Sequence, residues 1–386
     1  MQEEKETDSV RLSVKKYIKQ AATSRPTSLT PLSFLLKGAN MPTTYGSLYP
    51  KIYDFNNLLN AYKSASEGKR YCNEALFYKY KLEENLINLQ NHLIWHSWEP
   101  KPFRYFTVRE PKKREIAAPA FADRVLHHAV VSVIEPLFER RFLSCSFACR
   151  KGKGTYAAAN MAQRYIESVA ARHDRPYIFK GDIKSYFASI PHWFIKNQYR
   201  RVIRCPETLW LLDRIVDTGS PNGVGLPIGA LTSQLLANVN LDALDHYAKE
   251  HLGIKYYVRY MDDFISICAN KDDAQNAFWD LRMYAECNMG LTLNHKSIIF
   301  PLNKGLNFCG YRIWHDHRLP RKRNMTRMRR RMKALCKMYR RGAVQAANVQ
   351  AAWASFLGYM KHCDGYKTKF KLWQDLGEIL AQNKEG

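Results

Sequence analysis

Apolar residues recur at helical spacing along most of the chain and gather into short strand-like runs at a few places. Leu82, Leu86, Leu89 and Leu93 follow one another at intervals of 4, 3 and 4, which predicts an amphipathic face within a helical stretch over 53–96. Trp95 and Trp98 close that face, and Pro100 and Pro102 end it. Residues 103–119 read as a hairpin around a basic turn at 109–114. Helices are predicted over 120–142, on the stripe Val125, Ala129, Val133 and Leu137, and over 156–172, 192–217, from near Leu231, and over 272–287. Residues 255–259 and 264–268 are aromatic and β-branched strands flanking Tyr260-Met261-Asp262-Asp263, so two acids fall at a tight hairpin turn. Beyond Arg318, Met325, Met328, Met332, Leu335 and Tyr339 are spaced 3, 4, 3 and 4, and a further helix is expected over 351–369 with Trp353, Phe356, Leu357 and Met360 as its core face. Residues 1–45, dense in Ser, Thr and Pro from 23 to 44, read as a flexible or partner-ordered extension.

Adjacent carboxylates at a turn between apolar strands repel each other and lose solvation, and a divalent cation relieves both problems. A lone pair of acids usually does no more than solvate a hairpin tip, so the weight falls on a third carboxylate. Asp182 ends the apolar run 177–181, where an acid is otherwise a common helix cap. One acid on a first strand and two on a later hairpin is the layout of nucleotide polymerases, which hold two Mg²⁺ about 3.5–4 Å apart.

Composition narrows the partner. Sixty Lys plus Arg against 35 Asp plus Glu leave a net charge of +25, which favours a polyanion. A membrane surface is the rival, but no apolar run approaches the roughly 20 residues of a spanning helix, and the polar start is unlike a secretory signal. Nine cysteines without a CxxC pair indicate a reducing compartment, with neither disulfides nor structural zinc. Twelve Lys and Arg lie between 318 and 341 with no acid among them. A charged helix face is ordinarily only solvated; without compensating acids it reads as a phosphate-tracking surface.

Gly-Asp-Ile-Lys-Ser-Tyr-Phe at 181–187, Gly-Leu-Pro-Ile-Gly-Ala-Leu-Thr-Ser-Gln at 225–234 and Tyr-Met-Asp-Asp at 260–263 occur in an order that resembles reverse transcriptases. The aliphatic Ile228, and the run 147–155 with its Gly152 and Gly154 between cations, resemble most closely the bacterial enzymes of diversity-generating retroelements, relatives of group II intron and retron enzymes. The resemblance implies an α+β right-hand polymerase, with interleaved fingers and ferredoxin-like palm over 46–315 and a basic helical thumb over 316–386. It implies that Asp182, Asp262 and Asp263 hold two Mg²⁺ (Mn²⁺ as a substitute), with the Ile183 carbonyl as an added ligand. Lys112 and Arg114 would grip the dNTP triphosphate, the register of Lys113 remaining open. Tyr186 and Phe187 would offer backbone amides, and the Phe187 ring would exclude a ribose 2′-hydroxyl. Ile228, Gly229 and Gln234 would line the nascent pair. Ile228 stands where retroviral enzymes carry Gln, which implies error-prone copying; the resemblance itself adds a bias toward errors opposite template adenine. Lys296 would protonate pyrophosphate. Phe308, Cys309, Gly310 and Tyr311 would form a primer grip, and Arg327, Arg330 and Arg331 would follow the duplex.

Implied partners are template RNA, an RNA/DNA hybrid, dNTPs and a basic helical accessory protein, with no membrane partner; the implied location is cytoplasmic, for a bacterial or phage-encoded protein. With no nuclease-like tail beyond 370, target cleavage is not expected. The rival readings are another bacterial reverse transcriptase, of phage-defence or intron origin, and an RNA chaperone or splicing factor on an inactive polymerase fold.

Overall fold

The computed structural model describes residues 44–109, 113–220 and 222–381. Tyr45 already belongs to the fold: its N–H donates to the Val202 carbonyl and its own carbonyl accepts from Arg204, each at 3.0 Å. Tyr45, placed by the sequence in the extension 1–45, is thus bonded to the segment 202–204; residues 1–43 lie outside the described residues.

Helices α1 (Tyr49–Tyr53), α2 (Phe55–Ser66), α3 (Asn73–Tyr80) and α4 (Leu82–Ile94) precede the hairpin β1 (Arg104–Val108) and β2 (Arg114–Ala118) and helix α5 (Phe121–Glu139). Asp54 caps α2 by accepting from the Asn57 N–H at 3.1 Å. Leu86, Leu89 and Leu93 are buried, as their spacing predicts. Asp123, at the start of α5, is also buried. It accepts from Trp98 Nε1 at 3.2 Å and from the Lys101 N–H at 2.8 Å, and so fastens the Pro-rich link to the helix.

Next come α6 (Thr155–Ala170), β3 (Tyr177–Asp182), α7 (Tyr186–Ser189), α8 (His192–Arg200), α9 (Pro206–Thr218), α10 (Leu231–His246), β4 (Tyr257–Tyr260), β5 (Asp263–Cys268), α11 (Lys271–Met289) and β6 (Ile298–Pro301). Residues 192–217 form two helices rather than one, because Cys205 is extended ahead of Pro206, which starts α9. The strands make one antiparallel sheet in the order β4-β5-β3-β6. Alternation puts Phe179, Tyr257 and Phe264 into the core shared with α10 and α11, and Ile178, Val258 and Ile265 into the core shared with α6. Gly181 pairs with Phe264, whose ring occupies the space a Cβ would need.

A three-stranded sheet follows, β7 (Leu306–Phe308), β8 (Tyr311–Ile313) and β9 (Arg318–Pro320), and then α12 (Lys322–Arg340), α13 (Ala346–Met360) and α14 (Tyr366–Ala381). These helices share a core of Met332, Cys336, Phe356, Met360, Leu372 and Leu376. Cys336, one turn beyond Met332, supplies the second buried position of α12, whereas Tyr339 is exposed. The helix expected over 351–369 stops at Met360. The intervening turn is pinned to β9, with the Arg318 N–H donating to Asp364 Oδ2 at 2.8 Å and the Asp364 N–H to the Arg318 carbonyl at 2.7 Å. Among the described residues no helix is long and apolar enough to cross a membrane.

Candidate active site

The register of the central sheet sets Asp182 on β3 directly opposite Asp263 on β5. Directly opposed residues share a face of the sheet. Asp262 belongs to the adjoining two-residue turn, behind Met261 at φ +55. One end of the sheet therefore carries all three acids. Burial pushes the Asp262 carboxyl up to about 6, Asp182 and Asp263 push it the same way, and Arg114 opposes them. Burial also raises Asp263, and the Lys180 ammonium offsets part of this. Lys180 Nζ donates to Asp263 Oδ2 at 2.7 Å. Asn294 Nδ2 donates to Asp182 Oδ2 at 2.9 Å, and the Asn294 N–H to the Asp182 carbonyl at 2.7 Å.

Among the described residues no three His, Cys, Asp or Glu side chains stand ready-grouped as a metal cage. Two of the acids are instead turned toward Lys180 and Asn294. The donor set nevertheless suits a hard divalent cation. Every donor is oxygen, like charges crowd Asp262, and Asp263 Oδ1 is buried without a hydrogen-bond partner. Ile183 is bridged to Leu293, and flanking bonds run from Lys184 and Asn294. In such a pair the residue's own carbonyl points away from the bridged strand.

Three other segments carry the remaining predicted site residues. Arg114, exposed at the start of β2, acts on Asp262; Lys112 lies outside the described residues and Lys113 is exposed. The glycine-rich loop before α10 spans from α7 to β2. Leu226 N–H donates to the Phe187 carbonyl at 2.7 Å, and Ala117 N–H to the Ile228 carbonyl at 2.8 Å. His192 supports the loop, with Nε2 at 2.8 Å from the Gly225 carbonyl oxygen. Phe187 is half-buried, edge-on to Tyr186 at 5.7 Å. The Tyr186 side chain is buried and donates to the Ala237 carbonyl at 2.6 Å, so only its backbone can face a ligand. Ile228 is half-buried, and Gly229 and Gln234 are exposed. Lys296 is exposed in the turn whose Asn294 holds Asp182, and its N–H donates to Asn294 Oδ1 at 3.1 Å.

The β7–β8 hairpin turns on Cys309 at φ +46 and Gly310 at φ +91. Two left-handed residues are the signature of a type I′ turn, which glycine favours. Phe308 and Tyr311, expected to touch primer or template, have side chains buried against α6. Their alternation with exposed Asn307 and Arg312 turns them inward, and the backbone of Cys309 and Gly310 remains as the reaching part. A Cβ on Gly310 would lie 3.3 Å from Asn324 Nδ2, so this glycine makes room for the C-terminal helices. On α12, Arg327, Arg330 and Arg331 are exposed, while Arg329 and Lys333 face Asp375 at 4.0 and 3.1 Å.

Two cations, one buried and one half-buried, escape a reading by motif and spacing. Arg259 is fully buried. Its Nε and Nη2 donate to Asp245 at 2.7 and 2.6 Å, and its Nη1 donates to Asn238 Oδ1 at 3.2 Å and to the Met261 carbonyl at 3.1 Å. A cation inside a buried strand demands an acid partner; that is the legible signal, though it does not name Asp245. Lys180, two residues before Asp182, shares its face by strand period.

The family model for reverse transcriptase (RNA-dependent DNA polymerase) matches residues 100–313. Protein YkfC of Escherichia coli (strain K12) is 25% identical over 275 residues, covering 60% of this chain and 72% of that protein. Group II intron-encoded protein LtrA of Lactococcus lactis subsp. cremoris is 26% identical over 175 residues, covering 43% of this chain but only 28% of that longer protein. A solved telomerase from Candida albicans, in complex with a fragment of telomeric RNA, overlaps 80% of this chain and 66% of its own at 10% identity and a TM-score of 0.43, too loosely to bear on function.

Proposed function

The chain belongs to the reverse transcriptase family of RNA-dependent DNA polymerases, whose model spans residues 100–313 of its 386, and on that premise we propose that it makes error-prone cDNA from the RNA of a diversity-generating retroelement. The observation that carries the polymerase reading is the register that pairs Asp182 with Asp263 beside the turn bearing Asp262. In this reading residues 46–315 are fingers and palm, and 316–386 are the thumb. Asp182, Asp262 and Asp263, with the Ile183 carbonyl, hold two Mg²⁺, for which Mn²⁺ substitutes. Bound there, the ions lower the pKa of the primer 3′-hydroxyl and offset charge on the leaving pyrophosphate.

The remaining work falls to the chain's own groups. Arg114 and Lys112 neutralise the triphosphate. The first N–H groups of α7, on Tyr186 and Phe187, have no partner within their own helical turn and suit phosphate oxygens. Phe187 packs under the sugar and leaves no room for a 2′-hydroxyl. Gln234 and Gly229 line the nascent pair, while Ile228 can form no side-chain hydrogen bond to it. Lys296 returns a proton to pyrophosphate. The Cys309–Gly310 backbone holds the primer end, and Arg327, Arg330 and Arg331 follow the hybrid's phosphates. Nine unpaired cysteines support a reducing cytoplasm. A basic helical accessory protein completes the assembly.

Extension of oligo(dT) on poly(rA) with Mg²⁺ tests the polymerase reading. Asp262→Asn is expected to abolish synthesis while RNA binding survives; an Asn variant that still polymerises removes Asp262 from the site. The intron-encoded relative favours a second reading, an intron-derived enzyme. Sequencing the cDNA separates the two: uniformly faithful copying supports the second, and errors concentrated opposite adenine support the first.

A further inference from the structure

Lys180 stands at a junction. From the interior of β3 its ammonium donates to Asp263 Oδ2 at 2.7 Å and to the Asn307 carbonyl on β7 at 2.8 Å. It also lies 5.6 Å from the centre of the Phe308 ring. Asp263 sits diagonally across from it in the β3–β5 register, with Lys180 opposite Ile265 and Asp182 opposite Asp263. One side chain thus spans the catalytic sheet and the separate three-stranded sheet whose turn is Cys309–Gly310. It also decides which carboxylate oxygen is engaged: Oδ2 is taken, and Oδ1 remains buried and unpartnered.

We propose that Lys180 is a positioning residue, tying the Asp263 carboxylate to the β7–β8 hairpin so that the acid and the strand pair reaching toward the primer hold one frame. The inference rests on the polymerase reading. A salt bridge alone would balance charge, but the Asn307 carbonyl adds an anchor in another sheet, and an ammonium bonded on both sides is held more firmly than one bonded to the carboxylate alone. Neither the length nor the charge of Lys180 is then free to vary: methionine keeps the reach and loses both hydrogen bonds, whereas arginine keeps the charge with a different donor geometry.

The test uses Lys180→Met and Lys180→Arg in the full chain, with thermal melts to establish folding. Lys180→Met removes the cation that faces Asp263, so Mn²⁺ alone, titrated without nucleic acid and followed by electron paramagnetic resonance, should bind more tightly. Its kcat for primer extension should fall on the order of 10- to 100-fold, the scale of a misplaced reacting group, with hybrid affinity unchanged. Lys180→Arg should recover part of kcat. In an Asp263→Asn background the Lys180→Met change should alter Mn²⁺ affinity by a different factor, since the carboxylate that the ammonium engages is gone and the two changes are coupled. Tighter Mn²⁺ binding together with slower extension is a pairing that general damage to the fold does not produce. An unchanged kcat, or parallel losses of Mn²⁺ affinity and kcat, overturns the proposal. If the unmodified protein extends no primer, the polymerase reading fails by itself, and the Mn²⁺ cycle still reports on the Lys180–Asp263 pair.

Discussion

Gly229 and Ala117 approach so closely that a Cβ on the glycine would lie 2.8 Å from the Ala117 carbonyl oxygen, while the neighbouring Ala117 N–H donates to the Ile228 carbonyl at 2.8 Å. The loop before α10 is thereby docked on β2, the strand that begins with Arg114. Gly229 is also at φ +132, where a side chain is strained whatever the space. Gly229→Ala should cost about 1–3 kcal/mol locally. The loop should detach before the fold does, because Gly229 is exposed. Steady-state kinetics should show a raised KM for dNTP with a nearly unchanged melting temperature.

Asp262 gives a pH signature with a definite sign. Its folded pKa, about 6, lies above the ordinary value of 3.8. The native state therefore holds the proton more tightly than the unfolded chain, and the metal-free protein loses stability as pH rises from about 4 to about 6. In chelator, Asp262→Asn should melt above the unmodified protein at pH 7 and level with it at pH 4. Added Mg²⁺ should close the gap at pH 7 by stabilising only the protein that keeps the carboxylate.

Arg259 holds the turn that carries Asp262 through the Met261 carbonyl and is itself held by Asp245. Removing one partner of a fully buried pair leaves a bare charge, so Arg259→Met should destabilise by about 3–5 kcal/mol in urea denaturation. Arg259→Met with Asp245→Leu should regain most of that stability. Primer extension by the double variant should stay slow, since nothing then fastens Met261. Recovery of full activity along with stability would reduce Arg259 to a packing role.

Much of this arrangement is readable in the sequence because it is local. Asp262 and Asp263 are adjacent, the strands on either side announce their hairpin, and Leu86, Leu89 and Leu93 reveal one helix face by spacing alone. What escapes depends on register between distant segments. The Lys180–Asp263 bond joins residues 83 apart, and that of Asn294 with Asp182 joins residues 112 apart. No spacing rule supplies such pairings. The orientation of Phe308 and Tyr311 escapes for a related reason: a motif places a hairpin, but only the packing of that hairpin on α6 decides which of its atoms face outward. The α13–α14 break is hidden because the chain before it is helical in pattern and the interruption is fixed from outside by Arg318.

Arg327, Arg330 and Arg331 offer a quantitative check on nucleic-acid binding. All three are exposed on α12, while Arg329 and Lys333 are turned to Asp375. Each phosphate left without its cation should reduce the slope of log affinity against log salt by roughly 0.7–0.9. Replacing all three by Ala should therefore lower the slope by about two to three for an RNA/DNA hybrid. Replacing Arg329 and Lys333 should instead act mainly on the stability of the C-terminal helices.

In the proposed reading Ile228 bears on fidelity. Its carbonyl is committed to the Ala117 N–H, and its branched side chain, half-buried beside exposed Gly229, has no donor or acceptor to offer a base pair. A site rejects a wrong substrate strongly when its own polar groups would be left unpaired, and weakly when it presents only apolar surface. Ile228→Gln keeps the backbone bond to β2, so the loop should stay docked and the variant should fold as before. The new amide can bond the minor-groove edge of a correctly formed pair and is left unsatisfied by a distorted one. The expected outcome is a several-fold fall in misincorporation, scored by deep sequencing of cDNA made on one template, with kcat on a matched primer altered much less. An error spectrum identical to that of the unmodified protein would move the source of infidelity away from Ile228.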